Sequence, residues 1–179
     1  MKGFVFTEFL EMVEDQFGYE LADKIVQVEK LPSCGIYTSI GTYNHAEMVT
    51  LVSNLSKETG MSVPQLLHHY GKYLFGVFKT NYTVFFEGID SAFDFLEGVD
   101  GYIHLEVKKL YPNAELPKFN VIRTPSSLMM HYQSSRKMSD LAIGLIEACM
   151  QHFGEKYTIK KSVLDKEGAS VKILIEKIN

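Results

Sequence analysis

The apolar residues of this chain recur at helical spacing as far as Pro117 and largely at alternate positions beyond it, which restricts the fold to the α+β class. Phe6, Phe9, Leu10, Val13 and Phe17 mark a first helix, with Gly18 as its stop. A second runs from Leu21 to Val28, ahead of Leu31-Pro32. Asn44 caps a third through Met48, Leu51, Val52 and Leu55, closed at Gly60. Ser62 opens a fourth, with Pro64 in its first turn and Leu67, Tyr70, Leu74, Val77 and Phe78 on one face. Ser91 caps a short helix carrying Phe93, Phe95 and Leu96, and another spans Val99 to Tyr111, ended by Pro112. Beyond Pro117, Phe119 to Arg123 and Leu128 to Ser134 read as strands around Thr124-Pro125-Ser126. A helix from Ser139 to Phe153 follows, with Leu141, Leu145 and Cys149 on one face and Ala142, Ile146 and Met150 beside it. Two strands, Tyr157 to Leu164 and Ser170 to Ile178, close the chain through Lys166-Glu167-Gly168. The expected architecture is an N-terminal helical part followed by an antiparallel sheet with helices, in one domain over residues 1–179.

A chain of 179 residues can bury roughly 70% of its unfolded surface in such a domain. Net charge is −4 with no basic run, which argues against nucleic-acid partners. Cys34 and Cys149 lie far apart without C-x-x-C spacing, as suits a reducing compartment. Glu8 and Glu11 interrupt the apolar N-terminus, no small-residue cleavage site follows, and no uncharged run is long enough to span a bilayer. A cytoplasmic setting without membrane contact is expected.

The chemistry concentrates in Tyr132-Gln133-Ser134-Ser135-Arg136. In an extended conformation Tyr132, Ser134 and Arg136 share one face, offering two hydroxyl donors and a guanidinium fork suited to a pair of carboxylates. Arg123 and Arg136 are the only arginines, and Arg holds planar anions bidentately where Lys does not. Among six histidines, His45, His68, His69, His131 and His152 read as solvent-facing or edge residues. His68 and His69 are adjacent on a helix and cannot share a metal, and there is no H-E-x-x-H or Cys/His cluster for zinc. His104 borders an apolar stripe of Ile103, Val107 and Leu110. Taken alone it is an ordinary core or edge histidine, and taken with the downstream motif it becomes a candidate metal ligand.

A histidine so placed, Pro117 thirteen residues later, Tyr132/Ser134/Arg136, and then Lys137-Met138 with Gly144-Leu145-Ile146-Glu147 together resemble the H-NOX (haem nitric oxide/oxygen binding) family over nearly the whole chain. The resemblance implies haem b (protoporphyrin IX iron) held between the helical part and the sheet. It makes His104 the iron ligand, Tyr132, Ser134 and Arg136 the grip on the propionates, and Pro117 the residue packed against the macrocycle. It divides the domain into a distal part near residues 1–60 and a proximal part near 61–179.

Members of that family that keep oxygen look to carry a distal tyrosine with polar support. The matching position here is Leu141, while Leu74 stands for a supporting asparagine and Phe9 for a tryptophan. With Val5 and Leu145 these give an apolar distal wall, which implies nitric oxide binding (and carbon monoxide) with oxygen excluded. A tyrosine from elsewhere, Tyr70, Tyr73 or Tyr82, reaching the pocket would undo that expectation. The family further implies a non-enzymatic sensor that signals when the iron–His104 bond is released. Its output would pass in trans to a sensor histidine kinase or a diguanylate cyclase or phosphodiesterase. The competing readings are a haem enzyme that oxidises nitric oxide, and a haem-free module binding some other carboxylate.

Overall fold

The computed structural model describes residues 1–27 and 31–178. Helices α1 (Gly3–Phe17), α2 (Tyr19–Gln27), α3 (His45–Thr59) and α4 (Val63–Asn81) come first. A 3-10 turn (Thr83–Phe86) and α5 (Ala92–Gly98) lead to a π-helical turn (Val99–Ile103) and α6 (His104–Leu110). Strands β1 (Lys118–Arg123) and β2 (Ser127–Gln133), helix α7 (Ser139–His152), and strands β3 (Tyr157–Val163) and β4 (Ser170–Lys177) follow. The expected α+β order holds, and Val28 of the expected second helix lies outside the described residues.

Local chemistry sets most of these boundaries. The Asn44 side chain accepts from Ala46 N at 3.0 Å, and Ser62 forms a reciprocal capping box with Gln65. Gly60 ends α3 with φ 73°, a left-handed conformation that costs glycine little. The buried carboxylate of Glu47, in the first turn of α3, accepts from Ser33 Oγ and N and from Tyr37 Oη. That bond set, with Tyr37 stacked on Phe6 at 4.5 Å, fastens the preceding loop over α1.

The sheet is antiparallel throughout, in the order β1-β2-β4-β3. Pairs Tyr132↔Val171, Met130↔Ile173 and Leu128↔Ile175 place alternate residues of β2 and β4 on one buried face. That face packs with Ala142, Ile146, Cys149 and Met150 of α7, and with Phe93 and Leu96 of α5. A second apolar cluster joins α1, α2, α3 and α4 around Phe6, Phe9, Met12, Leu51, Leu55, Leu66 and Tyr70. Leu145 of α7 packs against both clusters. Helices α4 and α7 can meet closely because glycines face each other's backbone. A Cβ on Gly71 would collide with the Leu141 carbonyl, and one on Gly144 with the His68 carbonyl. No described helix is long and apolar enough to cross a membrane.

Candidate functional site

Two expectations about local geometry need correction. The stretch from Val99 to Tyr111 is not one α-helix: a π-helical turn precedes His104, and α6 begins there. Leu110, expected on its apolar stripe, is 70% exposed, and no residue of α6 is fully buried. Tyr132, Ser134 and Arg136 do not share a strand face, because β2 ends at Gln133. The chain turns at Ser135 and Arg136, and Lys137 takes φ 57°. The three side chains converge through the turn instead. Arg136 N donates to Ser134 Oγ at 3.2 Å, and Met138 N donates to Tyr132 Oη at 3.1 Å. Both hydroxyls act there as acceptors, and Ser134 also hydrogen-bonds Tyr132, a pair whose protons can turn to an incoming carboxylate. Burial pushes the Tyr132 phenol above its usual range, which holds it as a donor.

The Arg136 side chain is only 15% exposed, and its partner is the carboxylate of Glu115, at 3.1 Å. Beside it opens a cavity of about 360 Å³ lined by Glu115, Leu116, Lys118, Gln133, Ser134 and Arg136. Pro117, half-buried, immediately precedes β1.

His104 is tied down from behind. Its Nδ1 lies 3.1 Å from Asp100 Oδ1, one helical turn earlier, and its ring stands 6.0 Å from that of Phe119. Burial pulls the imidazole below its ordinary pKa, against the raising pull of Asp100. A neutral ring oriented through Nδ1 suits metal ligation by Nε2, which has no hydrogen-bond partner among the described residues. No group of three or more His, Cys, Asp or Glu capable of holding a metal occurs among the described residues. Three of the other five histidines have ordinary polar partners: His68 with Glu147, His69 with Gln16, and His131 with Ser170.

The expected distal residues gather in the first apolar cluster. Phe9 and Leu74 are buried there, with Val5, Leu141 and Leu145 packed against it. Of the three tyrosines that could have supplied a hydroxyl, Tyr70 and Tyr73 have theirs committed. Tyr70 is fully buried and donates to the Val5 carbonyl at 2.6 Å, its ring edge-on to Phe9. Tyr73 donates to Asp15 at an exposed edge, and Tyr82 stacks on Phe85. Sequence reasoning missed Asp100, Phe119 and Glu115. Asp100 was findable, because an Asp four residues before a helical His faces it. The other two come from tertiary placement.

A protein-family model described as Haem-NO-binding matches residues 2–161. The chain belongs to this family, the H-NOX proteins. An unliganded Fe(II) variant of the K. algicida H-NOX protein is 42% identical with TM-score 0.96, over 100% of this chain and 97% of that one. The H-NOX from Shewanella woodyi, in its Fe(II)CO state bound to IWP-051, is 38% identical with TM-score 0.84, over 99% and 95%. An S. oneidensis H-NOX protein in the Fe(II)NO state is 26% identical with TM-score 0.91, over the full length of both. No curated protein sequence matches the chain.

H-NOX proteins are haem-based gas sensors, and haem is the cofactor of the family. The donor set in this chain fits that group. It offers one neutral imidazole with a free Nε2, a guanidinium and two hydroxyl protons for carboxylates, and an apolar wall for the porphyrin.

Proposed function

We propose that this H-NOX chain senses nitric oxide, excludes oxygen, and passes the signal to another protein without catalysing a reaction itself. His104 would hold the iron, and Tyr132, Ser134 and Arg136 the propionates. Pro117 would pack on the proximal side, and Val5, Phe9, Leu74, Leu141 and Leu145 would line the distal side. The division into a distal part near residues 1–60 and a proximal part near 61–179 belongs to the same reading. Haem, when bound, would supply the ferrous iron that takes nitric oxide, and His104 would be the ligand whose release carries the signal.

The observation that carries the selectivity is the fate of the Tyr70 proton. It is the buried phenol nearest Val5 and Phe9, and it is committed to a backbone carbonyl 2.6 Å away. Bound oxygen has superoxide character and gains from a donor, whereas nitric oxide binds ferrous iron without one. A hydrogen bond to a charged group contributes about 1.5–3 kcal/mol, or about one to two orders of magnitude in affinity. A wall that withholds this donor selects by omission.

The output side follows from how lightly α6 is seated. Were His104 not held by an iron, Asp100 and Phe119 would remain as its neighbours, and no residue of the helix is fully buried to fix it otherwise. An element with two positions biased by one bond meets the physical requirement for a switch. The favoured recipients are a cytoplasmic sensor histidine kinase or a cyclic-di-GMP enzyme acting in trans, with carbon monoxide as a further ligand.

Absorption spectra of the haem-loaded, reduced protein test the reading. Air should leave the ferrous spectrum unchanged over seconds, and nitric oxide should give the shift of a lost imidazole. A durable oxygenated spectrum would refute oxygen exclusion, and protein that stays colourless with haem supplied would refute the whole reading. His104→Gly protein should recover its ferrous spectrum only with added imidazole.

A further inference from the structure

The polar end of the site contains a carboxylate of its own. Glu115 is 80% exposed, yet its Oε2 sits 3.1 Å from an Arg136 nitrogen, and Arg136 itself is largely withdrawn from water. The placement of Glu115 is set by its chain neighbours. Ala114 is buried and its N–H donates to the Tyr111 carbonyl at 2.9 Å, a turn that pins the chain just ahead of Glu115. Leu116 and Lys118 then continue along the wall of the same cavity.

We propose that Glu115 is an internal competitor for Arg136, one that sets how firmly the carboxylate end of the cofactor is held. This rests on the reading of Arg136 as a propionate partner. A guanidinium presents five donors in a fixed fork, so it can serve more than one oxygen, but each added anion repels the others. A propionate arriving at Arg136 therefore meets a negative charge already in place. Either it displaces Glu115 into water, where an 80% exposed side chain is readily solvated, or it shares the fork against repulsion. Both routes weaken its grip. Lys118, on the wall of the same cavity, is the one other cation among its lining residues and offsets part of that repulsion. Glu115 also lies on the segment that joins α6 to β1, so the helix bearing His104 and the grip of Arg136 are connected through seven residues of chain, 111–117.

The test is the rate of haem loss to excess apomyoglobin from ferric protein, at about 10 mM and about 1 M salt, where the Debye length is about 30 Å and 3 Å. Glu115→Gln should lose haem more slowly than wild type at low salt by about threefold, within the about fivefold that an exposed ion pair can contribute. Glu115→Lys should lose it more slowly still. At high salt the three rates should converge. Arg136→Ala should lose haem faster than wild type, and adding Glu115→Gln to it should bring no slowing. As a readout independent of haem, apoprotein carrying Glu115→Gln should melt below wild-type apoprotein, because Arg136 loses its counter-ion. If Glu115→Gln loses haem as fast as wild type while Arg136→Ala is faster, the competition is overturned and the clamp stands. If Arg136→Ala retains haem like wild type, the clamp itself falls and the competition with it.

Discussion

At the residue scale, the proposed distal wall would work by what its side chains cannot donate. Leu141→Tyr should therefore raise oxygen affinity, up to about one to two orders of magnitude where the new hydroxyl is well placed, and less because Leu74 gives it no polar support. Oxygen titration of the ferrous variant checks this, and an unchanged affinity would remove Leu141 from the wall. The leucine, phenylalanine and valine identities of the wall were legible in the sequence, because absence of a polar group is a compositional fact. The commitment of Tyr70 to Val5 was not, since it depends on α1 and α4 meeting at one carbonyl. Glu8 was equally illegible. It is 9% exposed on α1, with Glu11 on its own helix, Tyr70 and Tyr73 across on α4, and Tyr82 beyond, and no cation faces it among the described residues. Burial raises its pKa, and Glu11 adds to this. An acid whose folded pKa is raised binds more protons folded than unfolded, so its presence lowers stability as pH climbs from the ordinary glutamate value through the raised one. Glu8→Gln should then stabilise the protein at neutral pH and have no such effect near pH 4. Urea unfolding at the two pH values decides, and an equal effect at both would mean that the carboxylate is not the cause.

At the element scale, helix and strand boundaries were largely readable, because caps such as Asn44 and Ser62 and the alternation in β2 and β4 act within a few residues. The π-helical turn before His104 was not. Its i→i+5 bonding leaves the apolar spacing close to that of an α-helix, so the sequence reads as one continuous segment. The turn at Ser135 and Arg136 was hidden for a related reason. Alternation predicts a strand face but not where pairing stops, and β2 stops at Gln133. The α4–α7 contact makes a prediction of its own. Gly144→Ala should cost at least about 1 kcal/mol, because a Cβ there meets the His68 backbone carbonyl, which no side-chain rotation can relieve. Gly76→Ala on α4 is the control: nothing lies within 4 Å of its Cβ, and it should gain about 0.5–1 kcal/mol from helix propensity. Should both substitutions stabilise in urea, the close crossing of α4 and α7 is not needed for the fold. Leu141 and Leu145 flank Gly144, so the first substitution should also shift the ferrous spectrum, and the second should not.

At the scale of the whole molecule, the two apolar clusters hold different parts of the chain, and segment 99–117 buries little against either. No residue of the π-helical turn or α6 is fully buried, and after them only Ala114 is buried before the strand begins. By contrast α5, one element earlier, is anchored on both sides. Arg123 reaches Asp94 at 2.5 Å and Glu97 at 3.0 Å, while Lys177 lies 4.4 Å from the centre of the Phe93 ring. The boundary between a fixed and a lightly held region therefore falls at the π-helical turn. A ligand bound at His104 from one side and at Arg136 from the other would lend the segment stability that its own contacts do not provide. Hydrogen exchange on the apoprotein and the haem-loaded protein should show the largest gain in protection across 99–117 and 134–138, with little change in β2, β4 or the middle of α7. Adding nitric oxide to the reduced, loaded protein should then return exchange toward the apoprotein rate in 99–110, leaving 134–138 largely protected, because the proposed propionate partners would still be engaged. Protection that rises evenly over the whole chain would mean that haem stabilises the molecule globally. Protection that nitric oxide leaves untouched in 99–110 would mean that α6 does not carry the signal.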